Sequence, residues 1–198
     1  MLGSGSVGLR DALTRLPVEP PALESAGAAV LAVLRPADGD VEVLLIQRSD
    51  REGDPASGQV SLPGGHREPV DRSLAETAMR ELAEEVGLTA EEVEQPIRYF
   101  GTRPAPYFRL EVAAFVTVLG PSGAVPRAVD PTEVEEVFWL PRSELARVEA
   151  VPRTTHLGER AVEAAVFDGH VVWGFTRRLL MGLFERLEAA PRPGDALV

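Results

Sequence analysis

A chain of 198 residues, 44% hydrophobic and without cysteine, is long and apolar enough for one domain with a real core, and it excludes thiolate nucleophiles, disulfides and thiolate metal sites. The formal charge of −11 argues against a nucleic-acid partner, because phosphate-backbone binding rests on a basic surface. All twenty basic residues are arginine, so a phosphate-loop lysine and Schiff-base chemistry are excluded as well.

No apolar run nears the ~18 residues that span a bilayer, and the N-terminus lacks the basic flank and long apolar core of a secretory signal. A cytoplasmic protein with no membrane partner is expected. Residues 1–25 read as a lead-in, a short helix over 9–16 stopped by the proline-bearing segment 17–21. The domain proper is expected over 26–187, followed by a frayed tail at 188–198.

Residues 28–34 and 41–47 are continuous apolar runs of strand length. Pro36-Ala37-Asp38-Gly39-Asp40 between them is turn chemistry, so the pair predicts a hairpin in a buried sheet. A polar loop over 48–57 leads to a short extended piece, 58–63. Gly64-Gly65 follows, read as a glycine turn that lets backbone approach a ligand closely. His66 comes directly after the glycines and is the best functional candidate of the three histidines, whereas His156 and His170 read as structural.

From Leu74 to Val86 the residues Leu74, Ala75, Ala78, Met79, Leu82 and Val86 recur at three- and four-residue intervals, which predicts a helix with one buried stripe. Ser73 or Asp71 can cap its start and Gly87 stops it. At about 100° per residue, Thr77, Arg80, Glu81, Glu84 and Glu85 take the opposite arc, with Glu81 and Glu85 one turn apart. Like charges at such spacing destabilise a helix by a few tenths of a kcal/mol per pair, so something should compensate. Arg80 can pair with Glu84, and the hard oxygens of Glu81 and Glu85 suit Mg²⁺ or Mn²⁺. A solvated acidic face is the plain alternative. The double glycine upstream and the matched arginine favour a site that holds divalent metal against a diphosphate.

Residues 98–102 and 110–119 predict two more strands. The loop between them, 103–108, offers Arg103 to grip phosphate and Tyr107 to stack on a base, or else is a proline-stiffened turn covering core. Residues 120–131 are a Gly-, Pro- and Ala-rich loop, 132–141 a strand, and Pro141 starts a short helix. From His170 onward the chain predicts a helix with Leu180, Phe184 and Leu187 on its packing stripe.

Arg80-Glu81-Leu82-Ala83-Glu84-Glu85-Val86-Gly87-Leu88 resembles the second half of the Nudix hydrolase signature at every specified position. In the first half, Asp71 stands where a glutamate is usual and one extra residue separates it from Arg80. That spacing, Gly58-Gln59-Val60-Ser61-Leu62-Pro63-Gly64-Gly65 and Trp173-Gly174-Phe175-Thr176 are similar to the coenzyme A diphosphatase branch. Asp54 and Leu62 depart from it, where arginine and phenylalanine are usual. The resemblance implies an α/β Nudix fold, an α/β/α sandwich with a mixed central sheet. It also implies Mg²⁺- or Mn²⁺-dependent hydrolysis of a small nucleotide's diphosphate linkage, in coenzyme A or a thioester, with ADP-ribose, dinucleotides and nucleoside triphosphates as alternatives. Glu81, Glu84 and Glu85 would be metal ligands, with Arg80 holding Glu84. The carbonyl of Gly64 or Gly65, and a late glutamate, Glu133 or Glu136, would add to the shell. Gly64, Gly65, His66, Arg103 and Tyr107 are the expected substrate contacts. A Nudix-type isomerase is disfavoured because those enzymes use a cysteine. A ligand sensor without catalysis is disfavoured by the intact carboxylate set. Homodimerisation is left open.

Overall fold

In a computed structural model that describes residues 6–18, 26–54, 56–105, 110–155 and 158–189, the apolar runs become strands whose side chains alternate between two cores. Strand β1 (Ala26–Ala37) sends Ala32 and Leu34 to one face and Ala29, Leu31 and Val33 to the other. Strand β2 (Asp40–Arg48) does the same with Val43 and Leu45 against Leu44 and Ile46. Being covered on both faces is why these strands read as unbroken apolar runs rather than as alternating ones.

The remaining members of the main sheet are β3 (Val60–Ser61), β4 (Gly64–His66), β5 (Arg98–Ala105), β6 (Leu110–Val118) and β7 (Val134–Pro141). The order is β3-β2-β1-β6-β5, with β4 also on β1 and β7 also on β2. β1 and β6 run parallel, and the other pairs are antiparallel, so the sheet is mixed as expected. Helix α1 (Ser6–Thr14), α3 (Arg142–Leu145) and α4 (Gly174–Ala189) cover one face through Leu9, Leu13, Leu145, Leu180, Leu183, Phe184 and Leu187. Helix α2 (Leu74–Val86) covers the other through Leu74, Ala78, Leu82 and Val86. The result is the expected α/β/α sandwich. Among the described residues no helix is long and apolar enough to cross a membrane.

One local feature positions the site. β1 and β2 pair only from Leu34↔Val43 to Ala37↔Asp40 and then diverge. The chain at 60–66 fills the wedge: β3 pairs with Ile46 and Gln47 of β2, the Leu31 N–H donates to the Pro63 carbonyl at 2.9 Å, and β4 pairs with Ala28, Ala29 and Val30 of β1. Gly64-Gly65 is therefore strand, not the turn that its composition suggests.

Two further stretches differ from expectation. Arg103 lies on β5 rather than in a loop, opposite Val112 of β6. Residues 170–173 form strand β10 (His170–Trp173) instead of the start of a helix, and Gly174, at φ 58°, turns the chain into α4. β10 belongs to a second, three-stranded antiparallel sheet with β8 (Glu149–Thr155) and β9 (Gly158–Phe167). Most of β8 and β9 is exposed, so neither strand carries the apolar pattern by which buried strands are recognised. Tyr107 and His156 lie outside the described residues.

Candidate active site

Helix α2 starts and stops where its sequence dictates. The Ser73 hydroxyl accepts from the Glu76 N–H at 3.1 Å, and Gly87, at φ 71°, closes the last turn by donating to the Ala83 carbonyl. The loop at 120–131 adds two bonds at the same end, from the Arg127 and Val129 N–H groups to the carbonyls of Val86 and Glu85. The helix is thereby fixed in register over the double glycine.

Its second face is not a solvated arc. β4 packs against it at Glu81 and Glu85, so Glu85 is buried; Thr77 is buried with its hydroxyl on Asp71, and Glu84 stays exposed. The Gly64 N–H donates to the Glu85 carboxylate at 2.8 Å. A side chain on Gly65 would put its Cβ 2.6 Å from Glu81 Cδ, so the Glu81 carboxylate lies directly on that glycine. Both carboxylates thus converge on β4 because glycine leaves the room.

Arg80 ties the set together. Its guanidinium donates to Asp71 through Nε and Nη2, both at 3.1 Å, to Glu81 at 2.9 Å, to Glu84 at 2.8 Å and to the His66 carbonyl at 2.9 Å. Asp71 also accepts from the Thr77 hydroxyl at 3.0 Å and the Glu68 N–H at 2.8 Å. These bonds, the Arg80 one foremost, hold its carboxyl down to about 2. Asp71 likewise raises the proton affinity of Arg80 above the ordinary value. Asp71, rather than the expected partner Glu84, is therefore the main anchor of Arg80, and its place upstream of the helix is the one sign of this in the sequence.

Burial pushes the Glu85 carboxyl up to about 7, with the charges of Glu81 and Glu133 adding to it and the Gly64 N–H and Arg48 opposing it. Burial also raises Glu81, against the lowering effect of Arg80 and with Glu84 and Glu133 contributing. Glu133 acts on both groups from the turn just before β7 while its own carboxylate meets Arg51 at 3.2 Å. Glu136 points elsewhere, to His170 Nε2 at 3.2 Å, and His170 stacks on Phe138. Arg103 has its guanidinium 3.7 Å from where a Gly182 Cβ would stand, alongside α4.

Among the described residues no three His, Asp or Glu side chains are gathered at metal-ligand spacing; Arg80 occupies the space between Glu81 and Glu84. The donor chemistry nevertheless fits a hard divalent cation. Glu81 and Glu85 are carboxylates held close together at a cost to their charged forms, and a cation offsets that cost. Residues that sequence reasoning left out of the site are Arg48, whose Nη1 stands 4.0 Å from Glu85, and the wall of an adjoining cavity that includes Trp173, Phe175 and Arg178. The cavity wall has no local sequence signal, being assembled from β1, β3, β4, β5, β6, the edge of the β8–β9–β10 sheet and α4.

The NUDIX domain family profile matches residues 26–161. Human mitochondrial coenzyme A diphosphatase NUDT8 is 33% identical over 175 residues, covering 85% of this chain and 70% of that protein. The Nudix hydrolase NudL of Pectobacterium atrosepticum is 30% identical over 196 residues, covering 93% of this chain and 96% of its own. The solved NUDIX domain of Shewanella oneidensis NrtR, complexed with ADP ribose, shares the fold at a TM-score of 0.55 and 20% identity, over 85% of this chain and 93% of that one. The chain belongs to the Nudix hydrolase family. It is an enzyme of the pyrophosphatase class that acts on phosphorus-containing anhydrides.

Proposed function

We propose that the chain is a Mg²⁺- or Mn²⁺-dependent diphosphatase that cleaves the diphosphate linkage of a nucleoside diphosphate derivative, with coenzyme A or one of its thioesters as substrate. The observation that carries this reading is the convergence of Glu81 and Glu85 on Gly64-Gly65, beside a cavity of about 450 Å³. A bound divalent cation supplies neutralisation of the diphosphate charge and a more acidic water. Glu81, Glu84 and Glu85 would hold it, Gly65 and Glu133 being the further candidates.

The chain's own residues do the positioning. Asp71 fixes Arg80, and Arg80 keeps Glu81 and Glu84 oriented until a cation competes for them. The Gly64 N–H fixes Glu85. Gly64, Gly65 and His66 form the edge of the cavity over which the substrate would lie. Similarity to NUDT8 supports coenzyme A as the substrate.

Mass-spectrometric product analysis with Mg²⁺ or Mn²⁺ tests this on coenzyme A, ADP-ribose, dinucleotides and nucleoside triphosphates. 3′,5′-ADP plus 4′-phosphopantetheine from coenzyme A is the expected pair of products. Glu85→Gln should lower kcat by about a thousandfold or more with the fold intact by circular dichroism. Metal-dependent turnover retained in that variant would remove Glu85 from the site, and binding without product release would make the chain a sensor.

A further inference from the structure

The cavity beside Gly64, Gly65 and His66 has an apolar floor. Ala28, Ala105 and Val112 form a buried cluster there, with Val30, Leu110 and Phe175 packed on it. Among the described residues its walls carry Arg48, Arg160 and Arg178 and not one Asp or Glu, in a chain whose formal charge is −11. Arg48 is committed to Asp54 at 2.9 Å. Arg160 and Arg178 take part in none of the ion pairs among the described residues. Arg160 moreover stands directly opposite Arg153 in the β8–β9 ladder, a like-charge pairing that costs stability unless an anion offsets it.

Two cations free of carboxylate partners on an apolar cavity ask for a ligand with a flat, largely apolar body and an anionic group of its own. The diphosphate does not meet that need, because it is the group expected at Gly64-Gly65 and the carboxylates of α2. We infer that the cavity takes the nucleotide arm of the substrate and that Arg160 and Arg178 read a phosphomonoester on that arm, separate from the anhydride that is cleaved. This rests on the diphosphatase reading above and adds to it two specificity-determining residues, Arg160 and Arg178, for the phosphate that coenzyme A carries outside its diphosphate. Trp173 and Phe175 supply ring faces for the base, and the planar guanidinium groups supply paired donors for the phosphate.

Calorimetric binding of adenosine 3′,5′-bisphosphate and of AMP, at one fixed ionic strength and without metal, tests the assignment. The wild-type chain should bind the bisphosphate at least tenfold more tightly. Arg160→Gln and Arg178→Gln should each cut that preference at least fivefold and leave AMP affinity within twofold, which also reports that the variants fold. Equal affinity for the two ligands, no measurable bisphosphate binding, or a preference untouched by both substitutions would overturn it. Because no turnover is needed, the expected binding pattern without product release from coenzyme A would leave the two arginines assigned and sink only the substrate reading.

Discussion

Two adjacent glycines do different work, and alanine at each separates stability from activity. At Gly64, with φ 152°, a Cβ would sit 2.6 Å from the Val30 Cα, so rigid backbone opposes it. Gly64→Ala should destabilise by about 2–4 kcal/mol, measured by denaturant unfolding. At Gly65 the obstacle is the end of the flexible Glu81 side chain. Gly65→Ala should therefore move Tm little but displace Glu81 and lower kcat by about a hundredfold, since small misplacements of catalytic groups cost that much. Equal effects of the two substitutions on Tm would contradict this division.

At the scale of the element, α2 carries both an end signal and a tether. Ser73→Ala removes only the cap and should cost about 1 kcal/mol with kcat unchanged. Asp71→Ala removes the bidentate anchor of Arg80 and the partner of Thr77. It should lower both Tm and kcat, because Arg80 then loses the orientation in which it holds Glu81 and Glu84. Thermal melts and steady-state kinetics on the pair distinguish a helix that is merely shortened from a site that is misaligned. The helix itself was legible: its period, its cap and its stop all lie within residues 73–87. Burial of Glu85 was not, because it is covered by β4, a strand whose sequence is two glycines and a histidine.

Across the whole molecule, the buried carboxylate links stability to pH. The Glu85 carboxyl, raised from an ordinary 4.5 to about 7, favours the folded state while it is protonated. That contribution is complete below about pH 4.5 and is lost as pH rises through 7; its size is on the order of 3 kcal/mol. Asp71, held at about 2, acts in the opposite sense, and its contribution disappears only as pH falls toward that value. With a chelator present, Tm should fall between pH 4.5 and 7.5, and Glu85→Gln should flatten the fall. Adding Mg²⁺ at pH 8 should restore Tm in the wild-type chain, because a cation offsets the charge that burial penalises. An unchanged Tm profile in Glu85→Gln would show that another group carries the dependence.

The sequence by itself determined the hairpin of β1 and β2, the limits of α2 and the grouping of Glu81, Glu84 and Glu85, because each is written in near-neighbour periodicity or in turn and cap residues. It also determined the family, through the run from Arg80 to Leu88. Only the tertiary structure decided that Gly64-Gly65 fills a wedge between diverging strands, that Asp71 anchors Arg80, that Glu136 turns away to His170, and that Arg160 and Arg178 share a cavity wall. Those relations join residues brought together by sheet order and by packing across layers, and no local pattern of side chains encodes such distances.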